Sequence, residues 1–152
     1  FEEIINVMKA CKVCHVAFHD EEYPYVVPMN FGMEVNGNEV ILYFHGANTG
    51  KKHDLIRKNN KVAFVMEVTS GIVTGSHVGA CECTMEFASI MGTGVIDYLE
   101  ENTEKIEALH TLMAQYNVYE GKEYHFHDEM VPKTAVLRLR VNSLSGKRRK
   151  VE

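Results

Sequence analysis

The chain has 152 residues and a formal net charge of −5, enough length for one domain over residues 1–152 with a substantial core, and the wrong sign for a general nucleic-acid binder. Hydrophobic residues make up 45% of it, an ordinary globular share that excludes intrinsic disorder. No apolar run approaches the ~20 residues a membrane helix needs.

Glu2 to Ala10 carries Ile4, Ile5, Val7 and Met8 among charged neighbours and reads as a short amphipathic helix ending near Cys11. Val13 to His19 follows as a strand with Cys14, Val16 and Phe18 on one face, then Asp20-Glu21-Glu22 as a polar turn. Tyr23 to Val35 reads as one long strand interrupted by Pro24 and Pro28. A proline inside a strand belongs at an edge, a bulge or a bend, so the chain around Pro28 is expected to leave its ladder and free neighbouring backbone groups for binding. Asn36-Gly37 between two strands is the strongest short hairpin signal present.

The next strand alternates Val40, Leu42 and Phe44 with Ile41, Tyr43 and His45. It runs into Gly46-Ala47-Asn48-Thr49-Gly50 and then Lys51-Lys52, where a helix to Asn59 begins, with Leu55 and Ile56 facing the core. Lys61 to Val68 is a strand with Val62, Phe64 and Met66 inward. Thr69 to Gly79 reads as a Gly-, Ser- and Thr-rich loop, and Ala80 to Leu99 as a long β run in which Gly92 and Gly94 mark a bulge or a close backbone approach. Asn102 or Thr103 caps a helix whose expected buried stripe is Ile106, Leu109, His110, Met113 and Tyr116. After an irregular stretch from Tyr119 to Pro132, Thr134 to Val141 closes the chain as a strand, with Ala135, Leu137, Leu139 and Val141 inward. The basic run Lys147-Arg148-Arg149-Lys150 reads as a solubilising tail. The pattern predicts a mainly β (α+β) protein, an antiparallel barrel of about six strands with short helices packed outside.

Four cysteines occur as Cys11-x-x-Cys14 and Cys81-x-Cys83. No signal peptide is visible at Phe1, although the chain opens without Met and so leaves room for an upstream segment. A cytoplasmic protein with free thiols is therefore expected. Cys-x-x-Cys spacing would also suit structural zinc, but Cys14 falls in a β-type run, and Cys81 and Cys83 would share one face of a strand, which suits buried free cysteine. His125-x-His127-Asp128 lacks a third ligand, so no metal site is expected. Neither a Gly-x-Ser-x-Gly elbow nor a Gly-x-Gly-x-x-Gly turn is present, which argues against a serine hydrolase and a built-in dinucleotide fold.

The corner at Gly46 to Lys52 offers free backbone N–H groups, a helix dipole and two ammonium groups, which together favour an anion such as phosphate. Its spacing differs from the P-loop pattern. With the bent strand Val27-Pro28-Met29-Asn30-Phe31 and with Ser89 near the glycine-rich bend, it has the makings of a flavin mononucleotide site. Backbone at the broken ladder would meet the ring edge; His45, Lys51 or Lys52, and Ser89 would hold the phosphate.

The order of these pieces resembles the FMN-binding split β-barrel family related to pyridoxamine 5′-phosphate oxidase, and within it the nitroimidazole-resistance-type flavoproteins. The matching segments are Tyr25-Val26-Val27-Pro28-Met29-Asn30-Phe31, Leu42-Tyr43-Phe44-His45-Gly46-Ala47 with Gly50-Lys51-Lys52, Glu86-Phe87-Ala88-Ser89-Ile90, and Ser145-Gly146-Lys147-Arg148. The resemblance implies a homodimer with two FMN molecules at its interface. It implies ring contacts at Pro28, Met29, Asn30 and Phe31, and phosphate contacts at His45, Lys51, Lys52 and Ser89. Relatives often carry Arg before the serine, where this chain has Ala88. The implied activity is that of an oxidoreductase passing electrons from a reduced nicotinamide to a small molecule such as a nitroaromatic. The alternatives are a non-enzymatic flavin carrier or redox sensor, or a relative using a deazaflavin or haem. Because the flavin would carry the chemistry, no obligatory general-acid side chain is expected, and His45 is the candidate for the residue nearest substrate or phosphate.

Overall fold

A computed structural model describes residues 1–74 and 80–150. One antiparallel sheet contains seven strands: β1 (Cys14–Phe18), β2 (Tyr25–Met29), β3 (Gly32–Asn36), β4 (Glu39–Ala47), β5 (Lys61–Val73), β6 (Thr84–Tyr98) and β7 (Thr134–Arg149). Three α-helices pack around it, α1 (Glu2–Ala10), α2 (Lys51–Lys58) and α3 (Asn102–Gln115). The strand order β2-β1-β5-β6-β7-β4-β3 puts two consecutive strands at opposite edges, joined only by Asn30 and Phe31. A flat sheet of this width would span roughly 29 Å at ~4.8 Å per step, whereas the link from Met29 to Gly32 reaches at most about 11 Å. The covalent link therefore curls the sheet until its edges face each other. Among the described residues no ladder joins them, so the barrel is split along this seam.

The single strand expected over Tyr23 to Val35 is thus two, and the sheet gains a strand. Pro28 does not leave its ladder: it stands opposite His15 on β1. Proline is tolerated there because β2 is an edge, with no ladder on its other side. The bend falls two residues later, at Asn30.

The barrel interior follows the local alternation. Cys14, Val16, Phe18, Leu42, Phe44, Val62, Phe64, Met66, Ala135, Leu137 and Leu139 are all buried, as their spacing predicted. Gly37 takes a φ of 61° in the two-residue turn that closes Asn36 onto Glu39. Both glycine expectations in β6 hold. A Cβ on Gly92 would stand 2.3 Å from the Phe64 ring and one on Gly94 2.2 Å from the Arg140 carbonyl oxygen, and the β6–β7 register slips between Thr93 and Gly94.

Other expectations are corrected. β5 runs on to Val73 rather than ending at Val68; of the expected loop, residues 75–79, including His77, lie outside the described residues. Ala80–Glu82 is a 3₁₀ turn, so Cys81 is not on a strand, and both Cys81 and Cys83 are exposed. The N-cap of α3 is Glu101, without a capping side chain, and the helix buries Lys105, Ala108, Leu109 and Leu112, of which only Leu109 belongs to the expected stripe; Ile106, His110, Met113 and Tyr116 are half-buried. The helix is apolar on two sides, so local period does not fix its phase. Gly32 does: a Cβ there would lie 2.5 Å from the Leu112 nitrogen, so α3 rests its backbone on β3. The basic run is not a loose tail. β7 carries it through Arg149, in register with Phe87 to Ser89 of β6. Among the described residues no helix is long and apolar enough to cross a membrane.

Candidate functional site

The corner between β4 and α2 is built as the sequence implied. Gly50 takes a φ of 125°, in the region that favours glycine, and α2 starts on it without a capping side chain. The Lys51 and Lys52 N–H groups and the positive end of the helix dipole therefore stay available to an anion. The two lysines differ. Lys51 Nζ is 2.6 Å from Asp20 Oδ2 and 5.1 Å above the Tyr25 ring. That hydrogen bond, with one from the Glu21 N–H, holds the Asp20 carboxyl below its ordinary range and raises the Lys51 pKa. Lys52 makes no ion pair among the described residues, and its Nζ leans to within 3.5 Å of where a Gly46 Cβ would stand.

The seam runs toward His45, just before this corner. The register that pairs Gly32 with Tyr43 would, continued two residues, set Asn30 opposite His45. His45 is exposed on the outer side of β4, yet nearby protein strips enough hydration to lower its pKa, so the ring is neutral at neutral pH. Pro28 and Asn30 are exposed; Met29 and Phe31 are buried in the core, which leaves only their backbone for a ligand. Part of that backbone is already engaged. The Phe31 N–H donates to the Tyr116 hydroxyl oxygen at 3.0 Å, the Asn30 amide donates to the same oxygen at 3.2 Å, and the Tyr116 O–H donates to the Lys12 carbonyl at 2.8 Å. Tyr116, just past the end of α3, latches the seam.

Ser89 stands apart from the lysines within one chain. Lys51 lies against Tyr25, which is in register through Phe18 and Val62 with Gly94, whereas Ser89 is five residues further along β6, roughly 17 Å of strand. The Ser89 hydroxyl donates to the Lys147 carbonyl at 3.4 Å. It borders a groove of about 280 Å³ with Lys147, Arg148, Ile4 and Val7, in which Arg148 pairs with Glu3 of α1. Ala88 lines the same groove.

Sequence reading missed Asp20, His53 and Tyr116. His53 carried a local signal: it sits on the α2 face that buries Ile56 three residues on. Asp20 and Tyr116 carried none, because their partners are distant in sequence.

The open-edged sheet, latched at one seam and bearing a cationic corner beside it, defines a split β-barrel protein. The chain belongs to the pyridoxamine 5′-phosphate oxidase family, whose model matches residues 2–148. A crystal structure from Bacteroides thetaiotaomicron, provisionally described as a 5-nitroimidazole antibiotic resistance protein, is 28% identical over 95% of this chain and 81% of its own, with a TM-score of 0.79. The flavocytochrome Anf3 from Azotobacter vinelandii is 20% identical over 99% and 67%, with a TM-score of 0.77. An FAD and heme binding protein from Mycobacterium smegmatis is 16% identical over 97% and 70%, with a TM-score of 0.80. No curated protein sequence matches the chain.

Proposed function

We propose that the protein binds FMN at the barrel seam and acts, as a homodimer, as an FMN-dependent oxidoreductase on a small nitroaromatic or similar acceptor. The observation that carries this reading is a start of α2 that has no side-chain cap, with Lys52 leaning over Gly46, one residue past His45; the β3–β4 register, continued two residues, carries Asn30 toward His45. That donor set fits a flat heterocycle ending in a phosphate. Lys52 and the first N–H groups of α2 hold the phosphate, and Lys51 joins them on leaving Asp20. The Asn30 amide and the backbone from Pro28 to Phe31 meet the polar edge of the ring. His45, neutral, stands beside the substrate or the phosphate. Bound flavin supplies hydride and electron transfer between a reduced nicotinamide and the acceptor. The description of the Bacteroides protein supports the nitroaromatic class, and the names of the flavocytochrome and of the FAD and heme binding protein are in keeping with a flavin in this fold.

The dimer is supported by an uncovered apolar face. Val26 on β2, Val65 on β5 and Met91 on β6 are 53%, 36% and 48% exposed, around a groove of about 420 Å³ that His15, Thr93 and Ser145 also line. His15 Nδ1 is buried there without a hydrogen-bond partner, 3.8 Å from Glu67 Oε2. Met91 lies two residues from Ser89 on β6, so a second copy on this face puts Ser89 beside the interface, where a partner's corner can use it. The deciding experiment is titration with FMN and riboflavin, followed by anaerobic addition of NADH or NADPH to the loaded protein. Binding with a preference for FMN and bleaching by a nicotinamide are expected. Absence of flavin binding overturns the reading, and binding without bleaching leaves a carrier rather than an enzyme.

A further inference from the structure

His53 is the one buried histidine among the described residues, 1% exposed in a face otherwise filled by Leu55 and Ile56. A buried ring with two polar atoms is costly unless both are hydrogen-bonded, and both are. Nε2 lies 2.7 Å from the Ala47 carbonyl oxygen and Nδ1 2.7 Å from the Tyr98 hydroxyl. A carbonyl only accepts, so Nε2 carries a proton and donates to it, and Nδ1 shares a hydrogen bond with the Tyr98 hydroxyl. The two rings stack with centroids 5.7 Å apart, which ties α2 to the end of β6. The His53 backbone N–H also donates to the Gly50 carbonyl at 3.0 Å.

One residue therefore grips the carbonyls at both ends of the turn, Ala47 and Gly50. The consequence is electrostatic. With these oxygens turned toward His53, their negative ends point away from the space before α2, which is left to N–H groups and to Lys52. Resting on the flavin reading above, we propose that His53 is a positioning residue: it holds the β4–α2 corner in its anion-accepting shape through the Ala47 carbonyl, with Tyr98 fixing the ring.

The test compares wild type, His53→Leu and Tyr98→Phe. His53→Leu keeps an apolar side chain of similar size and leaves the Ala47 carbonyl unpaired. Amide exchange over residues 47–58 is measured by mass spectrometry, and affinity for FMN and for riboflavin by flavin fluorescence. The expected result is faster exchange over 47–58 with β5 and β6 unchanged, and FMN affinity lowered roughly tenfold while riboflavin affinity stays within about twofold. His53→Gln, whose amide can still donate to the Ala47 carbonyl, is expected to recover most of the loss. Unchanged exchange in folded His53→Leu overturns the clamp; equal loss of both flavins overturns the positioning role in favour of general stability. If His53→Leu does not fold, Tyr98→Phe carries the test: faster exchange over 47–58 supports the clamp and unchanged exchange refutes it. If wild type takes neither flavin, the functional reading fails, while the exchange result still decides the clamp.

Discussion

Tyr116→Phe isolates the latch on the barrel seam. The substitution keeps the ring, including its place 5.7 Å beneath Lys12 Nζ, and removes one oxygen. That oxygen accepts from the Phe31 N–H and the Asn30 amide and supplies the proton to the Lys12 carbonyl. Phe31 is completely buried, so its N–H is the costly loss: an unsatisfied buried donor costs ~1–3 kcal/mol, and the two more exposed bonds, which water replaces, add about 0.5 kcal/mol each. A total of about 2–4 kcal/mol corresponds to roughly 4–16 °C of melting temperature for a chain of this size. Thermal and urea unfolding followed by circular dichroism measure it, with the urea slope unchanged. A shift below about 1 °C would refute the reasoning, since ~2 kcal/mol cannot hide within it; water would then satisfy Phe31 and the seam would be held by core packing alone.

Lys52→Ala is expected to weaken FMN roughly tenfold or more, the loss of a charge-assisted contact, and to leave riboflavin unaffected; Lys51→Ala should do less, because Asp20 already neutralises Lys51. Flavin fluorescence titration measures both, and the reverse order would contradict the roles given to the two lysines. The Asp20–Lys51 pair has a definite pH direction. The folded-state pKa of Asp20 is lowered, so the pair is present above the unfolded aspartate value of about 3.9 and is lost as pH falls through the folded value. Asp20→Asn frees Lys51 at neutral pH and should tighten FMN binding at low ionic strength, with the gain shrinking as salt rises; weaker binding would count against competition between Asp20 and the phosphate. Thiol labelling offers a separate check. Burial pushes the Cys11 thiol up to about 11 and Cys14 further still, whereas Cys81 and Cys83 are exposed. Native protein should react quickly at Cys81 and Cys83 and at Cys11 and Cys14 only on unfolding; four equally fast thiols would mean that the α1–β1 junction opens.

Strand faces, the Gly37 turn, the glycines of β6 and the cationic corner were legible in the sequence. Each is decided by neighbours a few residues apart: a period of two, a positive φ, a helix start after glycine. The segment order was enough to point to the family to which the chain belongs. Tertiary structure decided what depends on distant partners. Tyr23 to Val35 looks like one strand locally and becomes two because its halves pair with β1 and β4, at opposite sheet edges. Gly32 sets which face α3 buries, and pairing with β6 turns a basic tail into strand. In the site, sequence placed two equivalent lysines side by side, and only the fold shows Asp20 holding one of them, Tyr116 occupying the backbone at the seam, and Ser89 far along β6. Short-range sterics and periodicity are written into adjacent residues, whereas a hydrogen bond or ion pair belongs to whichever chemically adequate group the closed barrel brings within about 3 Å.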